Sequence, residues 1–221
     1  MLILKQEYYI DHKIAIIRYL FRHRFAILSY MRNSNKPHLL ITVGLPGSGK
    51  SFFAEHFAET FKAPIVSYEK LKLLKRQQDI DGDGVVDDYA KYILKEIMKT
   101  SQTIVYDGLT DSKKARMELV GIARELNYDP MFIWVQTDEA TARKRALKIT
   151  DSHKFSVTEE EFDNSKKRFT APNQKENPIV ISGKHNYASQ LKIVLKNLAS
   201  RQLKDDVTPA KRNFLRDVIT K

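Results

Sequence analysis

The chain has 221 residues, 42 % of them apolar, which suits one substantial core or one core with a small addition and fits poorly with two full-sized domains. It contains no cysteine, so a disulfide framework and a cysteine-ligated metal are both excluded, in line with the expectation of a cytoplasmic protein. The net charge of +11 is uneven, at +5 over residues 1–36, +3 over 37–199 and +3 over 200–221, so the basic excess sits mainly in the two ends.

Such a field attracts polyanions such as nucleic acid, and anionic lipid feels it too. Residues 1–36 include "DHKIAIIRYLFRHRFAILSYMR", with Ile14, Ile17, Phe21 and Leu28 at helical spacing, and form an expected basic helical extension. The apolar residues after Tyr8 are interrupted by Lys and Arg, so no export signal is expected there. No stretch reaches the roughly 20 apolar residues that span a bilayer, and no membrane partner is expected. "NSNKP", residues 33–37, reads as a linker into a domain over 37–199, and 200–221 reads as a second basic extension.

From His38 the pattern changes to short β-rich runs separated by helical stretches. "HLLITV" and "APIVS" read as strands flanking a helix that ends near Phe61. A helix over Glu69–Gln77 and another from about Val86 to Lys99 precede the strand "QTIVY". A helix from Ser112 to Leu126, the strand "MFIWVQ", helices near 138–148 and 158–169, the strand "PIVIS" and a helix from Tyr187 complete the series. Alternation of this kind predicts an α/β class fold, three layers with a mostly parallel sheet covered by helices on both faces.

Between the first strand and the first helix lies Gly44-Leu45-Pro46-Gly47-Ser48-Gly49-Lys50-Ser51, a full G-x-x-x-x-G-K-[ST] match. The glycines allow a tight path whose N–H groups converge on phosphate oxygens, and the helix that follows aims its unpaired amides at the same anion. Lys50 is expected to reach the β- and γ-phosphates of ATP, and the Ser51 hydroxyl to hold Mg²⁺. Asp107 ends the apolar run "TIVYD", which places a carboxylate at the carboxyl edge of a parallel sheet, where it suits Mg²⁺ or an acceptor hydroxyl. Asp111 and Ser112 suit the start of the next helix.

Glu69, just after the second strand, has the chemistry to orient an attacking hydroxyl and take its proton. Lys72, one helical turn further, suits an acceptor phosphate, although an ordinary ion pair explains the spacing as well. "TARKRALK" offers Arg145 as a lid cation for the transferred phosphate and Arg143 as its substitute in substrate binding, with a solvent-facing position the alternative for each; Lys166, Lys167 and Arg168 suit contacts to an acceptor or base, although a charged run on a helix is usually surface. "DIDGDGVVDDYA", residues 79–90, imitates a calcium loop but has Ala90 where a bidentate Glu belongs, so it reads as an Asp- and Gly-rich surface turn.

Taken in order, "GLPGSGKS", "SYEKLK", "IVYDGLTDSKKARMELVGIARELNY" and "VQTDEATARKRALK" followed by "SVTEEEFDNSKKRF" resemble P-loop kinases related to bacteriophage polynucleotide 5′-hydroxyl kinase and the zeta-toxin-like kinases. The resemblance spans about His38 to Leu198. It implies a P-loop NTPase fold with the P-loop strand near the sheet centre and a helical lid. Lys50 and Ser51 would take the triphosphate and metal roles, Glu69 would stand where these kinases usually carry an activating Asp, and Lys72 where the polynucleotide kinase has an Arg. Asp107 would match the acid of a D-x-T-N element and Arg145 the lid arginine.

The expectation that follows is an ATP-dependent kinase acting on the 5′-hydroxyl of DNA or RNA. A kinase for a nucleoside, sugar or nucleotide-sugar is the nearest alternative. A nucleotide-dependent nucleic-acid-binding or scaffold protein without kinase activity is the alternative of another class. No N-K-x-D guanine-recognition sequence is present.

Overall fold

The computed structural model describes residues 36–78, 85–148 and 157–205. The basic helical extension expected over 1–36 lies outside them apart from Lys36, as do Asp79, Asp81, Asp83 and Gly84 of the calcium-like loop and the end of the second basic extension from 206 onward.

The elements follow one another as β1 (His38–Val43), α1 (Lys50–Phe61), β2 (Ile65–Ser67), α2 (Tyr68–Gln77), α3 (Val85–Met98), β3 (Ile104–Asp107), α4 (Lys113–Glu125), β4 (Asp129–Gln136), α5 (Glu139–Leu147), α6 (Glu159–Arg168), a 3₁₀ turn (Gln174–Glu176), β5 (Ile179–Ser182) and α7 (Tyr187–Asp205). Each expected strand and helix in this region is present, with ends shifted by a few residues. The five strands form one parallel sheet in the order β2-β3-β1-β4-β5, which puts the strand feeding the glycine loop at the centre. Helices cover both faces, giving the three-layer α/β/α architecture of P-loop NTPases.

Buried strands with helices on both sides must be apolar throughout, and β1 "HLLITV" is buried at all six positions. Leu39, Ile41 and Val43 face a core shared with Ala90, Leu94 and Met98 of α3 and Leu119, Val120, Ile122 and Ala123 of α4. On the other face α1 packs against the sheet and α7. The burial of Phe53, Ala54, Phe57, Ala58 and Phe61 follows a helical stripe, and the Phe57 ring lies 5.8 Å from Phe53 and 4.5 Å from Phe61.

The register positions the site. Ile41 pairs with Tyr106, so Thr42 lies beside Asp107, and Ser67 pairs with Asp107, so the chain leaving β2 delivers Tyr68 and Glu69 next to it. Helix starts are fixed by side chains. Ser67, Ser112 and Asp138 accept from the amides of Lys70, Ala115 and Thr141, while Thr158 and Glu161 form a reciprocal capping box.

The calcium-like pattern dissolves where it enters the described residues. Val86, Asp87 and Ala90 belong to α3, Asp87 pairs with Lys91 at 2.7 Å, and Ala90 is fully buried in the core, so position 12 faces hydrocarbon. Helix α7 continues to Asp205, past the 199/200 boundary drawn from charge. Among the described residues no helix is long and apolar enough to cross a membrane.

The aromatic stripe of α1 predicts a sharp contrast. Phe57→Ala should lower unfolding free energy by about 3–5 kcal/mol in urea titration, whereas Phe52→Ala, at 46 % exposure, should stay within about 0.5 kcal/mol of wild type.

Candidate active site

The loop between β1 and α1 has a backbone that side chains would obstruct. Gly47 and Gly49 adopt φ of 73° and 104°, in the left-handed region. A Cβ on Gly47 would collide with the Ala142 carbonyl of α5, and one on Gly44 would lie 2.6 Å from Ser48 Oγ. The loop is pressed from a second side, since Thr137 Oγ1 donates to the Ser48 carbonyl at 2.9 Å and Gly183, after β5, leaves no room for a Cβ beside that same carbonyl.

Unlike α2, α4, α5 and α6, helix α1 has no side-chain cap, and the buried Ser48 Oγ has no hydrogen-bond partner. Uncapped amides and an orphaned hydroxyl beneath a glycine loop fit a bound phosphate group.

Lys50 opens α1 with its side chain half-buried. Its Nζ donates to the Leu45 carbonyl at 3.0 Å. Burial pushes its pKa below the usual lysine value, and the carboxylates of Asp107, Glu69 and Asp111 act in the opposite direction without fully offsetting it. The three acids arrive from different parts of the fold. Asp107 ends β3 and is 4 % exposed, with Oδ1 accepting from Thr42 Oγ1 at 2.7 Å; Glu69 lies in the first turn of α2; Asp111 sits in the loop before α4.

These residues line a cavity of about 590 Å³ that runs from Gly44, Pro46 and Lys50 past Tyr68, Glu69 and Asp107 to the face of α6. The far wall carries Glu161, Asn164, Ser165 and Arg168. Lys72 also lines the cavity and pairs with Glu161 at 3.6 Å, joining α2 to α6; Arg168 pairs with Asp111 at 3.1 Å. The amide of Thr158 is the main reason the Glu161 carboxyl is held below its usual range, with burial opposing and Lys72 assisting.

Thus Lys50, Glu69, Lys72 and Asp107, expected from sequence to act together, share one cavity. The remaining two arginines stand apart from its lining. Arg143 pairs with Asp163 and with Glu139 at 3.6 Å, and its guanidinium lies 4.6 Å from the Phe162 ring centroid, so it ties α5 to α6. Arg145 Nη1 donates to the Gly183 carbonyl at 2.8 Å, linking α5 to the loop after β5. Among the described residues no cluster of three or more acidic, histidine or cysteine side chains could hold a metal alone. Mg²⁺ in phosphate sites takes few protein ligands, and the Ser51 hydroxyl and Asp107 carboxylate have suitable donor chemistry for it.

Sequence reading missed Thr42, Thr110, Glu161 and Arg116. Thr110 Oγ1 donates to the Thr42 carbonyl at 2.7 Å, and both threonines are buried. Arg116 is the one with a legible signal, for it stands on the helical stripe of Leu119, Val120 and Ala123, where a charged residue is out of pattern.

The fold and loop define a P-loop protein with a kinase-like architecture. Residues 39–172 match the sequence profile of a family described as an AAA domain, and the chain belongs to that family. No curated protein matches its sequence.

Several solved structures share the fold. A gluconokinase from Sinorhizobium meliloti 1021 has a TM-score of 0.59 at 16 % identity, covering 78 % of this chain and 98 % of its own. A putative kinase from Chloroflexus aurantiacus J-10-fl scores 0.57 at 11 % identity, with 73 % and 98 % covered. Kti12 from Chaetomium thermophilum, solved with ADP-AlF3, scores 0.55 at 15 % identity, with 72 % and 96 % covered.

The half-buried ammonium has a measurable consequence. A phosphate group beside Lys50 would raise its pKa back toward 10.5, so nucleotide binding should take up a proton at pH values between the lowered pKa and 10.5, and affinity should weaken as pH rises through that window. Titration calorimetry of ADP in buffers of different ionisation enthalpy reads this directly. Lys50→Met removes a charge that the fold disfavours, so the variant should melt at or above the wild-type temperature while losing about 1.5–3 kcal/mol or more of nucleotide binding.

Proposed function

We propose that this chain is an ATP-dependent phosphotransferase that moves the terminal phosphoryl group to a hydroxyl of a small, uncharged acceptor. The observation that carries the reading is the sharing of one cavity by Lys50, Glu69 and Asp107, beneath a glycine loop and beside α6. The main-chain amides of residues 44–51 and Lys50 hold the β- and γ-phosphates. Ser51 and Asp107 would hold Mg²⁺, which when bound neutralises phosphate charge and orients the terminal group. Glu69 aligns the acceptor hydroxyl and takes its proton as the new P–O bond forms. Arg145, on α5, would serve as the lid cation of this scheme on releasing the Gly183 carbonyl, with Arg143 bracing α5 against α6.

Charge in the outer half of the cavity supports the small, uncharged acceptor. Beyond Lys50 and Asp107 the lining holds Glu69, Asp111 and Glu161 against Lys72 and Arg168, and both cations are in ion pairs with lining carboxylates. A phosphorylated or polymeric acceptor would have to break those pairs inside an acidic surround. A neutral polyol or nucleoside can instead hydrogen-bond to them and to Asn164 and Ser165. The gluconokinase among the fold relatives supports a small acceptor but, gluconate being an anion, not an uncharged one, which rests on the lining charges alone. The 5′-hydroxyl of DNA or RNA is the second reading, favoured by the +11 charge and its concentration toward the chain ends.

Protein incubated with γ-labelled ATP, Mg²⁺ and a panel of glucose, ribose, adenosine, gluconate, glucose 6-phosphate and a 5′-hydroxyl oligonucleotide tests the scheme. Label should move to an uncharged hydroxyl compound. Lys50→Ala should reduce transfer by at least about 10²-fold, and Glu69→Gln should lower kcat by about 10²–10⁴-fold with a smaller effect on KM. Preferred labelling of the oligonucleotide would select the second reading. Nucleotide binding without transfer to any hydroxyl would select a binding or scaffold protein.

A further inference from the structure

We propose that Arg116 is a positioning residue that staples the loop running from Asp107, at the end of β3, through Asp111 to the segment following α6, with Glu176 as the clamp that holds its guanidinium. The Arg116 side chain is fully buried, and its partner Glu176 is 3 % exposed. Nε donates to Glu176 Oε1 at 2.6 Å and Nη2 to Oε2 at 3.3 Å, a bidentate pairing of fork against carboxylate. Nη1 donates to the carbonyl of Thr110 at 3.0 Å and to that of Thr170 at 2.9 Å. One planar group therefore grips two backbone segments separated in sequence by 60 residues.

The connection continues to the site on both sides. The loop whose Thr110 carbonyl is held also sends Thr110 Oγ1 to the Thr42 carbonyl, and Thr42 Oγ1 donates to Asp107 Oδ1. On the other side the Thr170 amide donates to the Asp111 carbonyl at 2.7 Å, and Arg168, the last residue of α6, pairs with Asp111. The base of the helix that walls the cavity is thus referenced to the strand end bearing Asp107 by Arg116 together with the direct contacts of Thr170 and Arg168 to Asp111. A buried ion pair contributes little to stability compared with well-packed apolar residues. What the guanidinium supplies is direction, since hydrocarbon holds no carbonyl in place and lysine lacks the planar fork. Glu176 is fixed in turn, because Asn173 and Glu176 form a capping box around the 3₁₀ turn.

The effect on turnover rests on the phosphotransfer reading above; the stapling itself does not. Arg116→Lys and Glu176→Gln should be compared with wild type by amide hydrogen exchange, Mg²⁺-ADP binding and ATP hydrolysis with water as acceptor. Arg116→Lys should speed exchange about tenfold or more in residues 108–112 and 169–176 while β1 and α1 stay near wild type. Mg²⁺-ADP affinity should change less than about threefold, and kcat should fall by about 10²-fold with KM for ATP little changed. Glu176→Gln should show the same pattern to a smaller extent, and it decides alone if Arg116→Lys does not fold.

Exchange that rises uniformly through the sheet, or that stays unchanged in both segments, overturns the proposal, as does unaltered kcat in an active wild type. If wild type hydrolyses no ATP but the localised exchange pattern appears, the stapling stands and the phosphotransfer reading fails.

Discussion

A lysine ammonium half-buried under a glycine loop is the constraint around which this molecule is arranged. Lys50 begins α1, so its backbone cannot move without moving the helix whose phenylalanines fill one face of the sheet. Its charge is partly withdrawn from water, and that desolvation disfavours the protonated form. The carboxylates that answer it come from the ends of β2 and β3 and from the loop beyond, which meet at Lys50 only because the strands run parallel and in register. A parallel sheet gathers the carboxyl ends of its strands along one edge, and that edge is where the cavity opens.

The enclosure is built from small residues as much as from charged ones. Ala142 on α5 and Gly183 after β5 bring main chain against Gly47 and Ser48, so the loop is gripped from two sides by backbone. Phe162 on α6, fully buried with Ala142 and Ala146, joins the two helices into one small core that also receives Leu45 and Val157. Arg143 adds ion pairs and a ring contact to the same junction. Its role in the described fold is to hold α5 and α6 together, and the proposed scheme needs that junction intact.

The overall charge and the charge at the site differ in sign. The chain carries +11, yet the cavity beyond Lys50 has more carboxylates than cations. Attraction of polyanions at long range and recognition of an acceptor at close range are separate properties, decided by different residues. Lys72 illustrates the distinction. From sequence it was a candidate for gripping an acceptor phosphate, but in the fold it spans to Glu161 and draws α2 toward α6.

Much of the architecture was legible beforehand, because local rules sufficed for it. An apolar run, a glycine-rich turn and an amphipathic stretch follow from steric freedom and hydrophobic period alone, which is why "HLLITVGLPGSGKSFFAEHF" reveals strand, loop and helix without any partner. Asp107 and Glu69 were visible for the related reason that each follows a strand. What sequence could not supply was which side chains are neighbours across the sheet, since register depends on packing between segments far apart in the chain. The Thr42 contact to Asp107, the separation of Arg143 and Arg145 from the cavity lining, and the burial of Arg116 were all decided at that level. The place of Arg116 on the apolar stripe of α4 marks it as out of pattern, but only the tertiary structure brings Glu176, Thr110 and Thr170 alongside to satisfy its charge.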